Sequence, residues 1–477
     1  MITQTLSIKE KIGYSLGDLS ANLVFQTLIT YLAYFYTDIY GLNADDATKI
    51  IFTVGTVAAF AFNPIVGALA DRTNSKWGKF RPWILWTAVP LGVTSVLAFT
   101  TPDFSYSGKV IYAVVTYTLL LLLYAGSNLP YSALSGVITG DMKERNSISA
   151  YRFVAVMFAQ FFVQVFMLPI INYVGDGDKA LGIEITMTWL AVIGTVLLLI
   201  TFITTRERIV PKPEESSSIL DDLKDLVKNI PWVIMLTVTI LQFTTLAMKG
   251  GAYVYYFENY VSKNSLSDFI SPIIDFLSNI GINFFGNDAV SAGFGLFNAG
   301  GIIFMIIGIG LSKMLADKYG KRNVFGIFLF ISTLFILVFY VLSPDSINLI
   351  FGAQIFHGFF YGITIPLLWA MIADVADYSE WKNNRRATAI IFSAMMVGLK
   401  LGLSIGGALV ASILGSYGYV PNSLGEQTES AILGTKMLVS IFPSIPFLVA
   451  AALLFFYVID KKMEEKIEKD LLKKRKS

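Results

Sequence analysis

The chain has 477 residues, of which 55% are hydrophobic and 14% aromatic, whereas only 15% are charged. A soluble domain carries about 25% charged residues, and one this apolar would expose large hydrophobic patches to water. The sequence has no cysteine and a single histidine, which excludes disulfides, thiol nucleophiles and metal sites built from cysteines or histidine clusters. The composition therefore predicts a membrane protein, and the net charge of +2 gives no indication of a nucleic-acid partner.

Twelve stretches of the chain are long and apolar enough to cross a bilayer as helices. Such a helix needs about 20 apolar residues. None of the stretches alternates between apolar and polar residues with a period of two, so a transmembrane β-barrel is excluded. The stretches cover residues 19–37, 50–70, 82–102, 110–140, 153–175, 185–205, 231–257, 289–312, 323–344, 346–373, 387–413 and 437–459.

The basic residues are distributed unequally between the two sides of the predicted membrane. One side, which includes both termini and the polar loop 206–228, holds 29 Lys and Arg residues, and the other side holds five. Cytoplasmic segments of membrane proteins carry the excess of Lys and Arg. Both termini and the central loop are therefore predicted to be cytoplasmic.

A weak internal repeat divides the twelve spans into two sets of six. Similar charged motifs follow the second and the eighth span, and such repeats are typical of transporters in which two bundles enclose a site near the middle of the membrane. The two copies are Asp71-Arg72 with Gly78-Lys79 and Asp317-Lys318 with Gly320-Lys321.

The repeat predicts two six-helix bundles, residues 1–205 and 231–460, joined by a cytoplasmic linker at 206–230. The second bundle carries an external insertion at 261–288, which we interpret as an amphipathic cap over the outer mouth. The remaining segment, 461–477, is predicted to be a helical cytoplasmic tail whose basic residues are attracted to anionic lipid.

Several polar side chains lie inside the predicted spans. An ionisable group at this depth is costly and usually faces the interior of a helix bundle. Asp18 and Asn22 are four residues apart and therefore share one face of a helix. Each candidate also has a structural interpretation, as a helix-packing group or, for the lysines, as a side chain that snorkels to the interface. The candidates are the ionisable Asp18, Arg152, Lys249, His357 and Lys400 and the amides Asn22, Asn63 and Asn128.

Charges of both signs cluster at the cytoplasmic ends of the predicted helices. Ion pairs between such ends can hold an inner gate shut in one state and separate in another. The alternative is that they are ordinary solvated loop charges. The gate candidates are Asp71, Arg72, Lys79, Arg81, Arg145, Asp374, Asp377 and Arg386.

Long motifs in a fixed order resemble those of the glycoside–pentoside–hexuronide:cation symporters, the melibiose-carrier branch of the major facilitator fold. The resemblance covers about residues 12–459 and is stronger to the xyloside-like members than to the melibiose carriers. It implies a major facilitator fold with two six-helix bundles. The motifs include Gly13-Tyr14 with Gly17-Asp18, Phe35-Tyr36-Thr37-Asp38, Asn63-Pro64, Lys76-Trp77-Gly78-Lys79-Phe80-Arg81-Pro82-Trp83, Asn128-Leu129-Pro130-Tyr131, Tyr151-Arg152-Phe153, Ala373-Asp374, Glu380-Trp381-Lys382 and Lys400.

The resemblance also implies which residues bind the sugar. Asn22 and Asn128 stand where melibiose carriers have sugar-binding aspartates, and the xyloside-like members carry amides there. Tyr124 and Arg152 match residues that line the same pocket. These four residues are therefore expected to contact the substrate.

The same comparison marks where this chain departs from the melibiose carriers. Lys400 matches a lysine near both sugar and cation, and Lys249 matches a basic residue of the xyloside-like group. Ala59 and Asn63 occupy the positions of two cation-binding aspartates, and hard cations prefer anionic oxygen ligands. Ile365 replaces a pocket tryptophan, so sugar stacking at that position is not expected.

The sequence therefore predicts a secondary transporter that imports a sugar or glycoside, of the pentoside or hexuronide kind, across the inner membrane by alternating access. Cation symport without the usual sodium-site acids leaves three possibilities: proton coupling through Asp18 paired with Arg152, uncoupled facilitation, or an anionic sugar held by Arg152, Lys249 and Lys400. Asn63 and His357 are further coupling candidates. A sensor that has lost transport is a fourth possibility. No catalytic cluster and no phosphate-binding loop of an ATP-driven pump is found, so an enzyme is not expected.

The expected partners are a sugar or sugar acid and the lipid bilayer, and a monomer is expected. No cofactor is predicted. Whether the coupling ion is a proton or sodium stays open at this stage.

Overall fold

The computed structural model describes residues 5–139, 142–208, 229–281, 283, 285, 288–383, 388–421 and 427–476. Within these ranges, the side chains of Asp71 and of residues 142–143, 146, 383, 388–390 and 472–476 lie outside the description. The described chain is helical and forms no β-strand, only an isolated bridge between Ser75 and Gly78. The prediction of an all-α membrane protein is confirmed.

Residues 5–139 and 142–208 form seven helices and two π-helical turns. One turn, Phe35–Ile39, ends the first helix, and the other, Ala58–Phe62, joins the second helix to the third. The helices are α1 (Ile8–Tyr34), α2 (Ala44–Val57), α3 (Asn63–Arg72), α4 (Arg81–Ala98), α5 (Tyr106–Ile138), α6 (Met142–Gly175) and α7 (Lys179–Thr204).

The second part of the chain forms nine helices among the described residues. They are α8 (Ile230–Asn259), α9 (Lys263–Asn279), α10 (Ala289–Tyr319), α11 (Lys321–Val338), α12 (Ile347–Asn383), α13 (Thr388–Ser416), α14 (Glu429–Val439), α15 (Ile441–Leu454) and α16 (Lys461–Lys476).

Ten helical stretches of the described chain are long and apolar enough to cross a membrane, where α2 with α3 and α14 with α15 each count as one stretch. Helices α1 and α4 are not among the ten. Helix α1 carries the polar Asp18, Asn22 and Gln26, and α4 begins with Arg81, which lowers their apolar character. Twelve spans with cytoplasmic termini therefore stay a prediction.

The chain divides into two compact units. Unit 1 comprises Met1–Pro213, Ile270–Gly295 and Pro421–Leu424, and unit 2 comprises Glu214–Phe269, Leu296–Val420 and Gly425–Ser477. In unit 1, α1 packs on α6 and α7, and α4 packs on α5 and α7. In unit 2, α8 packs on α13 and α15, and α11 packs on α12 and α15. The same order of helix pairing therefore occurs in both units.

Close packing of α13 on α8 requires a glycine. A Cβ atom on Gly402 would lie 2.4 Å from the backbone carbonyl oxygen of Ile240, far inside van der Waals contact. Small residues let helix backbones approach closely inside a membrane, where packing rather than the hydrophobic effect drives association. This contact fixes the level of α13 along α8.

The last helix, α16, packs on unit 2 through one of its faces. Ile467 and Leu471 are each 4% exposed, and the indole Nε1 of Trp381 on α12 donates a 3.0 Å hydrogen bond to Asp470. Apolar side chains buried in this way anchor an amphipathic helix to its neighbours. Residues 461–476 are thus helical, as expected, but their apolar and acidic face contacts the protein.

A carboxylate organises the loop that precedes α4. Gly78 has a φ of +109°, which disfavours any residue with a side chain, and the turn presents three backbone N–H groups to Glu207. The N–H groups of Lys79, Phe80 and Arg81 donate to the carboxylate of Glu207 at 2.8, 2.7 and 2.9 Å. The side chain thereby satisfies the free donors at the start of α4 and interacts favourably with the helix dipole.

Glu207→Gln is expected to destabilise the protein by about 2 kcal/mol, because the backbone N–H groups lose hydrogen bonds to a charged, half-buried carboxylate. In addition, the side-chain N–H groups of the glutamine would be directed at backbone N–H groups, which cannot accept a hydrogen bond. Thermal unfolding in detergent, followed by tryptophan fluorescence, measures the change. Asp103→Asn is the matched control, since Asp103 is exposed and has no hydrogen-bond partner among the described residues. Equal effects of the two substitutions would contradict the capping role of Glu207.

Candidate functional site

An ion pair inside unit 1 joins α1 to α6. The Nε of Arg152 donates to the Oδ2 of Asp18, whose residue exposure is only 5%. Taking a carboxylate out of water is costly, and a hydrogen-bonded cation offsets that cost. The packing of α1 on α6 therefore brings together the two charges of opposite sign that the sequence places at membrane depth in this part of the chain.

Two tyrosines hold the guanidinium in place. The rings of Tyr14 and Tyr131 stack with their centroids 4.6 Å apart, and each hydroxyl donates to the other residue's backbone carbonyl, at 2.9 and 2.8 Å. The guanidinium of Arg152 lies over both rings, 5.6 Å and 5.3 Å from their centroids. Cation–π contacts of this kind orient a guanidinium without neutralising it. Sequence reasoning missed both tyrosines, although both occur in the family motifs.

The predicted sugar ligands lie on the same helices. Asn22 follows Asp18 by one turn, and its Nδ2 donates to the backbone carbonyl of Asp18 at 2.9 Å. Asn128 and Tyr124 are one turn apart on α5, and the ring of Tyr124 stacks against Phe25 with a centroid distance of 6.3 Å. Among the described residues, the side-chain amide of Asn128 has no hydrogen-bond partner. These partly accessible amides can bind sugar hydroxyls, because an amide both donates and accepts.

Residues 47–70 of α2, the π-helical turn and α3 carry no carboxylate. The π-helical turn Ala58–Phe62 ends beside Asn63, whose Nδ2 donates to the carbonyl of Ala59 at 3.3 Å, and Ala59 is fully buried. Single π-helical turns occur frequently at functional sites. Within the described part of the chain, no group of three or more Asp, Glu or His side chains is suited to hold a metal ion.

Unit 2 contains a second buried polar cluster, which links α8, α11 and α12. The ammonium of Lys249 contacts Nε2 of His357, and Nδ1 of His357 lies 2.8 Å from Oγ of Ser332. All three residues are at most 7% exposed. In this structure the ammonium of Lys249 is enclosed and contacts the imidazole, and substrate binding by Lys249 stays a prediction.

Lys400 lies at a different level of unit 2 from Lys249. It is half-buried on α13, two residues from Gly402, which packs against Ile240. Nine residues of helix separate Ile240 from Lys249, so the two lysines are on the order of 10 Å or more apart along the helix axes. The predicted convergence of both lysines with Arg152 joins residues of different units and stays a prediction.

The described gate candidates of unit 1 interact locally. Arg145 donates to the carbonyls of Gly136 and Thr139, both at 2.9 Å. Arg81 donates to the carbonyl of Phe202 at 2.7 Å and lies over its ring. Such contacts satisfy free carbonyls at helix ends. Lys79 contributes its backbone N–H to Glu207, Arg72 is exposed, and the side chains of Asp71 and Arg386 lie outside the described residues.

The carboxylate of Glu10 connects the start of α1 with the segment that follows α7. Glu10 accepts from Nη1 and Nη2 of Arg208 at 2.7 and 2.8 Å. This two-point contact with the Glu10 carboxylate raises the pKa of Arg208 above its ordinary value, which keeps the guanidinium charged.

In unit 2 the gate candidate Asp374 pairs with Lys321. The Nζ of Lys321 is 2.7 and 2.8 Å from the two carboxylate oxygens, and it also contacts Glu464 on α16. Asp374 and Asp377 line a cavity of about 410 Å³ whose other walls include α16. The gating role of these helix-end charges stays a prediction.

Comparison with known proteins assigns the family. The model of the family described as MFS/sugar transport protein matches residues 13–274 and 274–461. The inner membrane symporter YicJ of Escherichia coli (strain K12) is 35% identical over 94% of this chain and 92% of its own length. The putative glycoside/cation symporter YagG of the same organism is 34% identical over 98% of this chain and 96% of its own length.

A solved structure shows the same fold. The bacterial homolog of the human lysosomal transporter Spinster, in its inward-facing and unoccupied conformation, superposes with a TM-score of 0.65 and covers 97% of this chain and 99% of that chain at 14% identity. Together with the ten candidate spans, these matches confirm the family resemblance, the transporter fold and the multi-pass inner-membrane location.

Replacing only one residue of the ion pair of Asp18 and Arg152 is expected to reduce the stability of the protein more than replacing both residues. Asp18→Asn or Arg152→Gln leaves a buried charge without its partner, at a cost of about 3–5 kcal/mol. The double variant removes both charges, so its loss of stability is expected to be smaller than the sum of the two single losses. Thermal unfolding of the four proteins in detergent gives the coupling energy, and strictly additive losses would argue against the pair.

Proposed function

This chain belongs to the MFS/sugar transport protein family, and on that premise we propose that it imports a pentoside-like or hexuronide-like glycoside by alternating access. The observation that supports this proposal is the ion pair of Asp18 and Arg152, which lies within about one helical turn of the partly accessible amide of Asn22. The relative YagG is named as a putative glycoside/cation symporter.

The sugar is bound by donors, acceptors and a flat apolar surface, all of which unit 1 provides. Asn22 and Asn128 offer amides to hydroxyl groups, and the stacked rings of Tyr124 and Phe25 offer an apolar face. Arg152 offers donors as soon as its pairing with Asp18 is relaxed. Because Asp18 balances Arg152, a neutral glycoside suits the cluster as it stands, and a uronate competes with Asp18 for the guanidinium.

The coupling ion in this proposal is the proton. A proton on Asp18 removes its negative charge, which releases Arg152 to the sugar, so that proton and sugar binding favour each other. Sodium is disfavoured because Ala59 and Asn63 provide no charge where the melibiose carriers have aspartates. No cofactor is required by this mechanism.

We further propose that the protein is a carrier and not an enzyme. The arrangement that most resembles a nucleophile with its base is Ser332 beside His357, but Ser332 is fully buried and the other ring nitrogen contacts Lys249. A substrate cannot reach such a hydroxyl. We also propose that the protein acts as a monomer and has no nucleic-acid partner.

Transport into proteoliposomes tests the proposal, with radiolabelled methyl β-xyloside and methyl β-glucuronide as probes. The wild-type protein is expected to accumulate a probe under an inward proton gradient, and a sodium gradient is expected to add nothing. Asp18→Asn is expected to reduce proton-driven accumulation at least about tenfold, equivalent to about 1.4 kcal/mol, while exchange of labelled for unlabelled sugar persists. Asn imitates a protonated carboxyl group, which explains the retained exchange.

Asp103→Asn is the control and is expected to behave like the wild type. Sugar uptake that depends on neither the proton gradient nor the sodium gradient would instead establish that the protein is a facilitator. Binding of a probe without any uptake or exchange would establish a sensor.

Restoring the missing carboxylates is expected to create sodium dependence. In the variant Ala59→Asp/Asn63→Asp, two anionic oxygens are available to a sodium ion, which prefers such ligands. Sodium is expected to raise the affinity of this variant for methyl β-xyloside severalfold and to leave the wild-type affinity unchanged, as measured by isothermal titration calorimetry. The variant Ala59→Ser/Asn63→Ser, which adds oxygen ligands without charge, is the control. A sodium effect of equal size in this control would contradict the electrostatic explanation.

A further inference from the structure

The polar cluster of unit 2 combines two bases and no acid. The ammonium of Lys249 contacts Nε2 of His357, and its Nζ lies 5.4 Å from the ring centroid of Tyr253. On the opposite side of the imidazole, Ser332 is 2.8 Å from Nδ1 and donates to the backbone carbonyl of His357 at 3.2 Å. The imidazole also stacks on Tyr361 with a centroid distance of 5.8 Å. Helices α8, α11 and α12 thus enclose the pair.

No carboxylate balances this pair among the described residues. The rings of Tyr253 and Tyr361 face it, and helix α15 carries no ionisable side chain. Lys436 on α14 is directed elsewhere, over the rings of Tyr260 and Tyr340. The remaining ionisable groups on the packed helices, none of which contacts Lys249 or His357, are Tyr255, Tyr256, Glu258, Lys321, Arg322, Asp374, Asp377, Tyr378, Glu380, Lys382, Lys400 and Glu429.

The contact between Lys249 and His357 allows only one positive charge. If both groups carried their full complement of protons, two N–H donors would point at each other inside a medium that cannot screen them. An ammonium donating to the lone pair of a neutral imidazole satisfies both groups. The pair therefore carries a single positive charge, and the proton responsible for it lies between Nζ of Lys249 and Nε2 of His357.

An unpaired acceptor lies on the same part of α8. Gln242, two helical turns before Lys249, donates through Nε2 to the hydroxyl of Tyr361 at 3.2 Å, while its buried Oε1 has no partner in the structure. A buried acceptor without a donor is costly. A water molecule entering at this point would connect Gln242 with the ring system that contacts His357.

We propose that Lys249 and His357 form a proton-binding site in unit 2, separate from Asp18, that takes up and releases one proton during transport. Lys249 holds the proton when water reaches the pair, because a solvated ammonium is stable at neutral pH. As the pair becomes enclosed without a counter-ion, the charge becomes costly, and the proton passes from Nζ to the last water molecule that still contacts it. Its use in the transport cycle depends on the proposed proton coupling, but the site itself does not.

The single histidine of the chain makes the site directly observable. In protein labelled with isotopes at histidine and placed in nanodiscs, the nitrogen chemical shifts of His357 report its protonation. The wild-type imidazole is expected to stay neutral, with Nε2 accepting, between about pH 8 and about pH 5. In Lys249→Met the competing ammonium is absent, and His357 is expected to take up a second proton as the pH falls.

Lys249→Met is expected to fold, because an apolar side chain of similar length replaces a buried charge. A doubly protonated His357 in the wild type at neutral pH, or identical titration in the wild type and Lys249→Met, would overturn the site. Lys400→Met is the matched control, since it removes another buried lysine of unit 2 and is expected to leave the spectrum of His357 unchanged.

Transport of methyl β-xyloside separates this site from Asp18. Lys249→Met is expected to reduce accumulation driven by a proton gradient at least about tenfold, equivalent to about 1.4 kcal/mol, with sugar exchange retained. If sugar accumulation is lost in Lys249→Met but persists in Asp18→Asn, the result supports the site at Lys249 and His357 and contradicts the role proposed for Asp18. If Lys249→Met accumulates sugar like the wild type, the transport role of the pair is refuted.

Discussion

Buried charge in a chain with few charged residues is the constraint on which the rest of this structure depends. Inside a bilayer no water is available to solvate an ion, so each charge needs a partner from the protein. Asp18 finds Arg152 in unit 1, and Lys249 finds the neutral imidazole of His357 in unit 2. The first pair is neutral and the second retains a single charge. In the proposed transport cycle, the protonation of Asp18 in unit 1 and of the pair of Lys249 and His357 in unit 2 changes.

Helix packing decides which of these groups meet. Helix α1 packs on α6, and this contact joins Asp18 to Arg152, while the stacked rings of Tyr14 and Tyr131 orient the guanidinium. The position of Asn22, which we propose as a sugar ligand, then follows from helical spacing, since it lies one turn after Asp18. Helix α1 is less apolar than the ten candidate spans because it carries several polar residues. These polar side chains are tolerated because they contact other protein groups.

Carboxylates organise the chain outside the apolar spans in both units. Glu207 collects three backbone N–H groups at the start of α4, Glu10 binds Arg208 at two points, and Glu464 shares Lys321 with Asp374. These contacts connect segments that are distant in sequence and hold the helix ends in position. Sequence reasoning identified Asp374 but missed Glu10, Glu207 and Glu464, since an isolated glutamate gives no signal of its partner.

The sequence by itself determined the membrane location, the helical class, the family and most of the polar residues that form the two clusters. Hydrophobic length and the ordered motifs are local properties, and they need no knowledge of packing. Only the tertiary structure decided the pairing: Lys249 contacts His357, and Glu207 organises the loop before α4. The physical reason is separation along the chain. The partners of these contacts are 108 and 128 residues apart, so their proximity follows from how the helices pack and not from any spacing within the sequence.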